Sequence, residues 1–304
     1  MKAYYYTPQE CGLSELPDGA FTLDDKRIPR TTDPADADIF VCPVMIHHMG
    51  TLTGRGECDL TRLKSLPYID GNEARHVFFN CGDTFLTAVP GESVIFRGDA
   101  TLGLKYVNPR TYNLPWPAKD ANRPEFKCIP PKFDVSFIGW ASTPLTQQVA
   151  QSCVDAGLRC DIELYNEFFG YIERDDPERA QKMWDRYTRS INQSTFALCP
   201  RSIPEGVIRY RFFEAMSAGC IPVLHGDGTL FPWLDRIGWN KACIQMPEAH
   251  AGETGAILTA WLERTDEIEE RRHYTQWAWR NFIDSRHWVR LATDTVITEM
   301  EVSE

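Results

Sequence analysis

The sequence predicts an α/β protein of two domains, each wound around a parallel sheet. The first observation is the stretch from Ser194 to Gly228. It reads as an apolar run from Thr195 to Cys199, a loop of Pro, Ser and Gly, a helical pattern over about 207–218, and a second apolar run from Cys220 to Leu224. Strand, loop, helix and strand in that order make a βαβ unit. The second observation is that strands and helices already alternate from Phe133 onward, as a parallel sheet requires. The third is length, since 304 residues suit two domains of about 150 better than one.

Residues 2–6 form a first strand. Thr31 to Asp38 gives a capped turn or short helix that leads into an apolar strand ending at Val44. A strand from about Val77 to Asn80 passes through Gly82 to Asp83 at its carboxyl end. From Asn108 to Pro131 six prolines interrupt any periodicity, and this stretch reads as the crossing between domains. Phe133 to Trp140 is a strand ending around Gly139, followed by a helix from about Pro144 to Ala156. A strand from Arg159 to Leu164 and a helix from about Pro177 to Gln193 come next. The tail from about Gly252 to Met300 is helical, and its Trp261, Trp277, Trp279 and Trp288 read as core or as a contact back to the first domain.

Composition excludes some activities. Lys and Arg number 32 against 43 Asp and Glu, a net charge of −11 with no basic tract, which argues against nucleic acid or an anionic membrane as the main partner. The first residues lack an apolar leader and no window approaches a membrane span, so a soluble, cytoplasmic protein is expected. The ten cysteines include no Cys-x-x-Cys pair and read as buried reduced thiols. Neither Gly-x-Gly-x-x-Gly nor a Walker motif occurs, which argues against dinucleotide and P-loop chemistry.

In the helix after Cys199, Ile208, Phe212, Ala215 and Met216 share a core face. Arg201, Arg209 and Arg211 gather around its N-terminus, whose unpaired N–H groups and dipole already favour an anion. A diphosphate fits there. Glu214 reads either as half of a surface ion pair with Arg211 or as an acceptor for ribose hydroxyls, and Gly219 permits close approach of the backbone to a ligand or a neighbouring strand. His225 and Asp227 follow the next strand, where they either meet a donor sugar or simply form a Gly-rich turn.

These residues also carry a family resemblance. Phe196 to Arg201, Arg211 to Val223, the turn from Gly226 to Gly228, and Phe231-Pro232-Trp233 resemble the exostosin glycosyltransferases of family 47. So do Asp33-Pro34 through Val44, Leu66-Pro67-Tyr68 and His76 to Asp83, so the resemblance spans most of the chain. Arg209 stands where the family often has Ser or Thr.

The resemblance implies the GT-B fold, two Rossmann-like domains facing a cleft. An acceptor domain would cover 1–125 with a C-terminal helix at about 280–304, and a donor domain 126–280. It implies inverting, metal-independent transfer of a sugar from a nucleotide diphosphate sugar, UDP-linked by first choice, to a glycan acceptor. It also implies that the turn at Gly139 faces the donor diphosphate. Asp36 and Asp38 precede a strand of the first domain and read as capping rather than metal ligands. Inversion needs a general base on the acceptor hydroxyl, and Asp83 is the first choice, although an Asp there also caps helices or pins turns. His48 and His47 are the other candidates, as base or acceptor contact, or as solvated loop residues. Arg97 and Asp99 help shape the acceptor pocket. A GDP-sugar donor, a catalytically silent glycan-binding protein and, more weakly, a nucleotide-sugar epimerase are the alternatives. Because animal and plant relatives carry a membrane anchor, a bacterial or viral source is expected.

Overall fold

The computed structural model describes residues 1–11, 13, 23, 26–45, 66–80, 92–98, 105–106, 108–115, 118–141, 143–167, 169–201 and 208–302. The chain divides into two units. The first comprises residues 1–115, 230–233 and 285–304, and the second residues 116–229 and 234–284.

In the first unit six strands form one sheet: β1 (Ala3–Tyr5), β2 (Arg30–Thr31), β3 (Ile39–Met45), β4 (His76–Asn80), β5 (Val94–Arg97) and β6 (Thr111–Asn113). Their order is β2-β1-β3-β4-β5-β6 and every neighbouring pair is parallel. Parallel strands covered on both faces read as unbroken apolar runs, and Val41, Phe78, Val94 and Phe96 are fully buried accordingly. Asp33 caps the short turn before β3, its carboxylate accepting from the Ala35 N–H at 2.9 Å, as the sequence predicts.

The second unit holds β7 (Phe133–Trp140), β8 (Cys160–Tyr165), β9 (Ser194–Pro200), β10 (Ile221–His225) and β11 (Ile244–Met246), again all parallel, in the order β11-β10-β9-β7-β8. Its helices are α1 (Pro144–Asp155), α2 (Phe169–Asp175), α3 (Pro177–Asn192), α4 (Tyr210–Ala218), α5 (Trp239–Ala242), α6 (Thr254–Leu262) and α7 (Thr265–Ala278). Thr143 and Asp176 cap α1 and α3, and a proline opens each helix. Val135, Val149, Phe196, Val223 and Leu258 join strands and helices in one core. The sequence does not predict three elements of this unit: α2, α5 and the three-residue β11.

The helical tail is not one rod. It breaks after α7 into a π-turn at Trp279–Ile283, and then α8 (Trp288–Val302) packs in the first unit. There Leu291, Ala292 and Val296 are buried, Arg110 Nε donates to Glu299 at 3.0 Å, the Tyr112 hydroxyl donates to the same carboxylate, and Arg27 donates to Asp294 at 2.8 Å. The expected return of a C-terminal helix to the first domain is therefore present. Of the four tail tryptophans only Trp288 belongs to it. Trp279 is core of the second unit, Trp261 is flanked by Arg264 and Arg271, and Trp277 is half exposed beside Tyr274. No helix among the described residues is long and apolar enough to cross a membrane, and the eight described cysteines are free thiols, six of them buried and Cys128 and Cys160 partly exposed.

Glu299 neutralises Arg110 and satisfies Tyr112 in a half-buried setting. Glu299→Ala is expected to lower the unfolding free energy by about 1–3 kcal/mol by leaving Arg110 Nε and the Tyr112 hydroxyl without their acceptor, while Arg110 Nη1 keeps its bonds to the Ala74 and Glu92 carbonyls, measured by denaturant titration.

Candidate functional site

In the second sheet the chain leaves β7 in one direction to form β8 and returns on the other side to form β9. The switch point lies between the carboxyl ends of β7 and β9, where parallel sheets bind ligands. Gly139 and Trp140 end β7, and Pro200 and Arg201 end β9. Arg209 is the extended N-cap of α4 and Arg211 lies in its first turn. Of the eight donor-side residues predicted from sequence, Gly139, Arg201 and Arg211 border one sheet edge, and Arg209 opens the helix beside them.

Arg211 is fixed on three sides. Its Nη2 donates to the Ile138 carbonyl at 2.6 Å, and its guanidinium lies 4.2 Å from the Phe137 ring centroid and 5.1 Å from that of Tyr187. A Cβ on residue 139 would come within 2.0 Å of Nη2, so glycine is there because the guanidinium fills the space a side chain would take.

Glu214, one turn further along α4, is only 9% exposed. It is not a surface ion-pair partner. Burial raises its pKa to about 7, while Tyr187, Arg211, Lys119 and the Lys119 backbone pull it down without overcoming that penalty. The Tyr187 hydroxyl is close enough to act on Glu214 but has no hydrogen bond of good geometry.

Arg201 anchors the other flank. Its backbone N–H donates to the His225 carbonyl at 2.8 Å, and its guanidinium pairs with Glu248, which also accepts from the Asp227 N–H at 3.3 Å. The hydrogen bond from Arg201 is the main cause that holds the Glu248 carboxyl below its usual range. Glu248 had no motif to betray it. The available signal was slight, an acidic residue two positions beyond Met246, at the carboxyl end of the strand beside β10.

His225 is fully buried, and burial lowers its pKa to about 4, so it is neutral at physiological pH. The Thr254 hydroxyl spends its proton on the Ala251 carbonyl at 2.8 Å, so His225 Nε2, 2.8 Å from that oxygen, carries the ring proton. Nδ1 is left as a buried acceptor without a partner. Asp227 sits in the exposed turn that Gly228 completes at φ +67°. Gly219 is the left-handed cap at the far end of α4, φ +72°, with Cys220 N–H donating to the Ala215 carbonyl at 3.0 Å.

The exostosin GT47 domain profile matches residues 19–261, most of this chain. The chain belongs to the exostosin GT47 family. Human exostosin-2 is 26% identical over 113 residues, 37% of this chain and 15% of that protein. Drosophila melanogaster exostosin-1 is 30% identical over 125 residues, 41% of this chain and 16% of that protein. The chain therefore spans about a sixth of the length of these relatives. A glycosyltransferase from Rickettsia africae ESF-5, 8% identical, superposes with a TM-score of 0.52 over 99% of this chain and 98% of that one, a likeness of fold that bears out the GT-B class.

In the first unit, Arg97 is buried at the carboxyl end of β5, in register with Asn113. Asp83, His47, His48 and Asp99 lie outside the described residues. Among the described residues no group of three His, Cys, Asp or Glu side chains is placed to hold a metal ion.

Gly139→Ala is expected to cost about 1–3 kcal/mol through the collision with Arg211. The cost should largely vanish in an Arg211→Ala background, and a double-mutant cycle in denaturant reads the coupling. Glu214 yields a second expectation. Below about pH 4 folded and unfolded chains both hold its proton, between there and about pH 7 only the folded chain does, and above pH 7 neither does. Its burial thus weakens the fold progressively as pH rises through that window. Glu214→Gln should be nearly neutral at low pH and gain up to about 3 kcal/mol over the wild type above pH 7, measured by denaturation across pH.

Proposed function

We propose that this chain is an inverting, metal-independent glycosyltransferase that moves a sugar from a UDP-linked donor to a hydroxyl of a glycan acceptor. The observation that carries the donor half is the switch point of the second sheet, where the N-terminus of α4 and three arginines border the carboxyl ends of β7 and β9. In this reading Arg201 and Arg209, with the N–H groups and dipole of α4, receive the charge that develops on the departing diphosphate. Arg211 holds β7 and α4 together beneath them, and His225 Nδ1 stands ready to accept a hydroxyl of the donor.

In the reaction the acceptor oxygen attacks the anomeric carbon from the face opposite the diphosphate. The new C–O bond forms as the bond to the β-phosphate oxygen breaks, which inverts the anomeric centre. The acceptor proton passes to a base, and Asp83, on the family motif that follows β4, is assigned that role. With arginines and a helix N-terminus carrying the leaving-group charge, no metal is required in this scheme.

Thermal shift of the purified protein against UDP, GDP, CMP and a panel of UDP-sugars, with and without a chelator, tests the donor half. Stabilisation by UDP or one UDP-sugar, unchanged by chelator, is expected. Stabilisation by GDP alone would transfer the assignment to a GDP-sugar enzyme, and no response to any nucleotide would overturn it. Asp83→Asn should abolish turnover, a loss of at least about 100-fold, while leaving the UDP shift intact.

A further inference from the structure

Trp140 is the last residue of β7, at the ligand edge of the second sheet, and it is 45% exposed. The other exposed tryptophan among the described residues, Trp277, lies against Tyr274 and Phe282, with ring centroids 5.1 and 5.3 Å away. A single exposed aromatic is ordinary on a protein surface. What sets Trp140 apart is its place. It follows Gly139, whose missing side chain makes room for the Arg211 guanidinium, so its backbone is one residue from that contact. Its other side is fixed as well. Tyr165 at the end of β8 is its register partner, and the Ala141 N–H donates to the Tyr165 carbonyl at 3.1 Å, which ties the two strand ends together.

The strand order gives the groups along this edge a sequence in space. Strands run β11-β10-β9-β7-β8, with neighbours about 4.8 Å apart. His225 ends β10, Arg201 follows β9, Arg211 reaches the end of β7 from the first turn of α4, and Trp140 stands at the tip of β7 beside β8. A nucleotide sugar is linear in the same sense, a sugar, then a diphosphate, then a nucleoside. With the diphosphate at the N-terminus of α4 and the sugar on the β10 side, the nucleoside extends toward β8 across the tip of β7. Trp140 is the exposed ring on that path.

A nucleobase presents a flat π-face, and a tryptophan face is its natural complement, since stacking removes both apolar surfaces from water while the base edges stay hydrated. We propose that Trp140 is the stacking platform for the nucleobase of the donor. This rests on the glycosyl-transfer reading and adds to it a residue that touches the base. Every base has a π-face, so the platform supplies affinity without choosing among bases.

Calorimetric titration of UDP into the whole protein, as wild type, Trp140→Ala and Trp140→Phe, tests the platform when the Tm of each is measured alongside. Trp140→Ala is expected to weaken UDP binding about five- to a hundredfold, the worth of one stacked base, and Trp140→Phe, which keeps a flat ring, to recover most of that loss. All three Tm values should agree within about 2 °C, because the residue is exposed. Equal affinity of wild type and Trp140→Ala would overturn the platform. So would a Phe variant as weak as the Ala variant, or a larger fall in Tm for Trp140→Ala, which would mark a packing role. If the wild type binds GDP instead of UDP, the same comparison with GDP decides, since stacking is indifferent to the base. A wild type that binds no nucleotide overturns the donor reading and the platform together, whereas the other adverse outcomes leave the donor reading standing.

Discussion

The architecture of the second unit at its ligand edge depends on one guanidinium. Arg211 stands where residue 139 would carry a side chain, donates to the carbonyl before it, and is held between Phe137 and Tyr187. A strand end and the first turn of a helix are joined by a charged group that is stacked and hydrogen-bonded rather than ion-paired. Arginine suits this because its planar, weakly hydrated cation stacks on rings while its edge donates, whereas a lysine ammonium is a strongly hydrated point charge. The positive charge so retained also faces Glu214, one turn away, and is part of what keeps that carboxyl from an even higher pKa.

Burial, more than pairing, sets the electrostatics around this edge. Glu214 and His225 are both pushed toward their neutral forms by desolvation, an acid upward and a base downward. Glu248 differs because it remains partly solvated and has Arg201 in contact, and its carboxyl is held low. The edge therefore contains a neutral imidazole, a carboxyl near its titration midpoint and a committed ion pair within one sheet.

Much of this was legible in the sequence because parallel sheets announce themselves locally. Apolar runs such as Phe133–Trp140 and Ser194–Pro200 need no partner to be recognised, and the caps at Asp33, Thr143 and Asp176 act within four residues. What was illegible depends on long-range contacts. The helical period placed Glu214 away from the core face, yet Tyr187 and the segment at Lys119 cover that side as well. Gly139 was legible as a turn residue, but the reason no larger residue fits is an arginine 72 positions later. Glu248 gains its significance from a partner across the fold, Arg201.

The return of α8 to the first unit bears on the order in which the protein can be made. The chain emerges N-terminus first, and domains generally fold as they appear. Here every segment of the second unit is available once Asp284 has been synthesised, whereas the first unit still lacks the helix that covers Leu291 and Val296 and supplies the carboxylate for Arg110 and Tyr112. The N-terminal sheet, begun first, is finished last. Until then it carries an uncovered apolar face, which makes the nascent first unit, rather than the later one, the natural client for a chaperone.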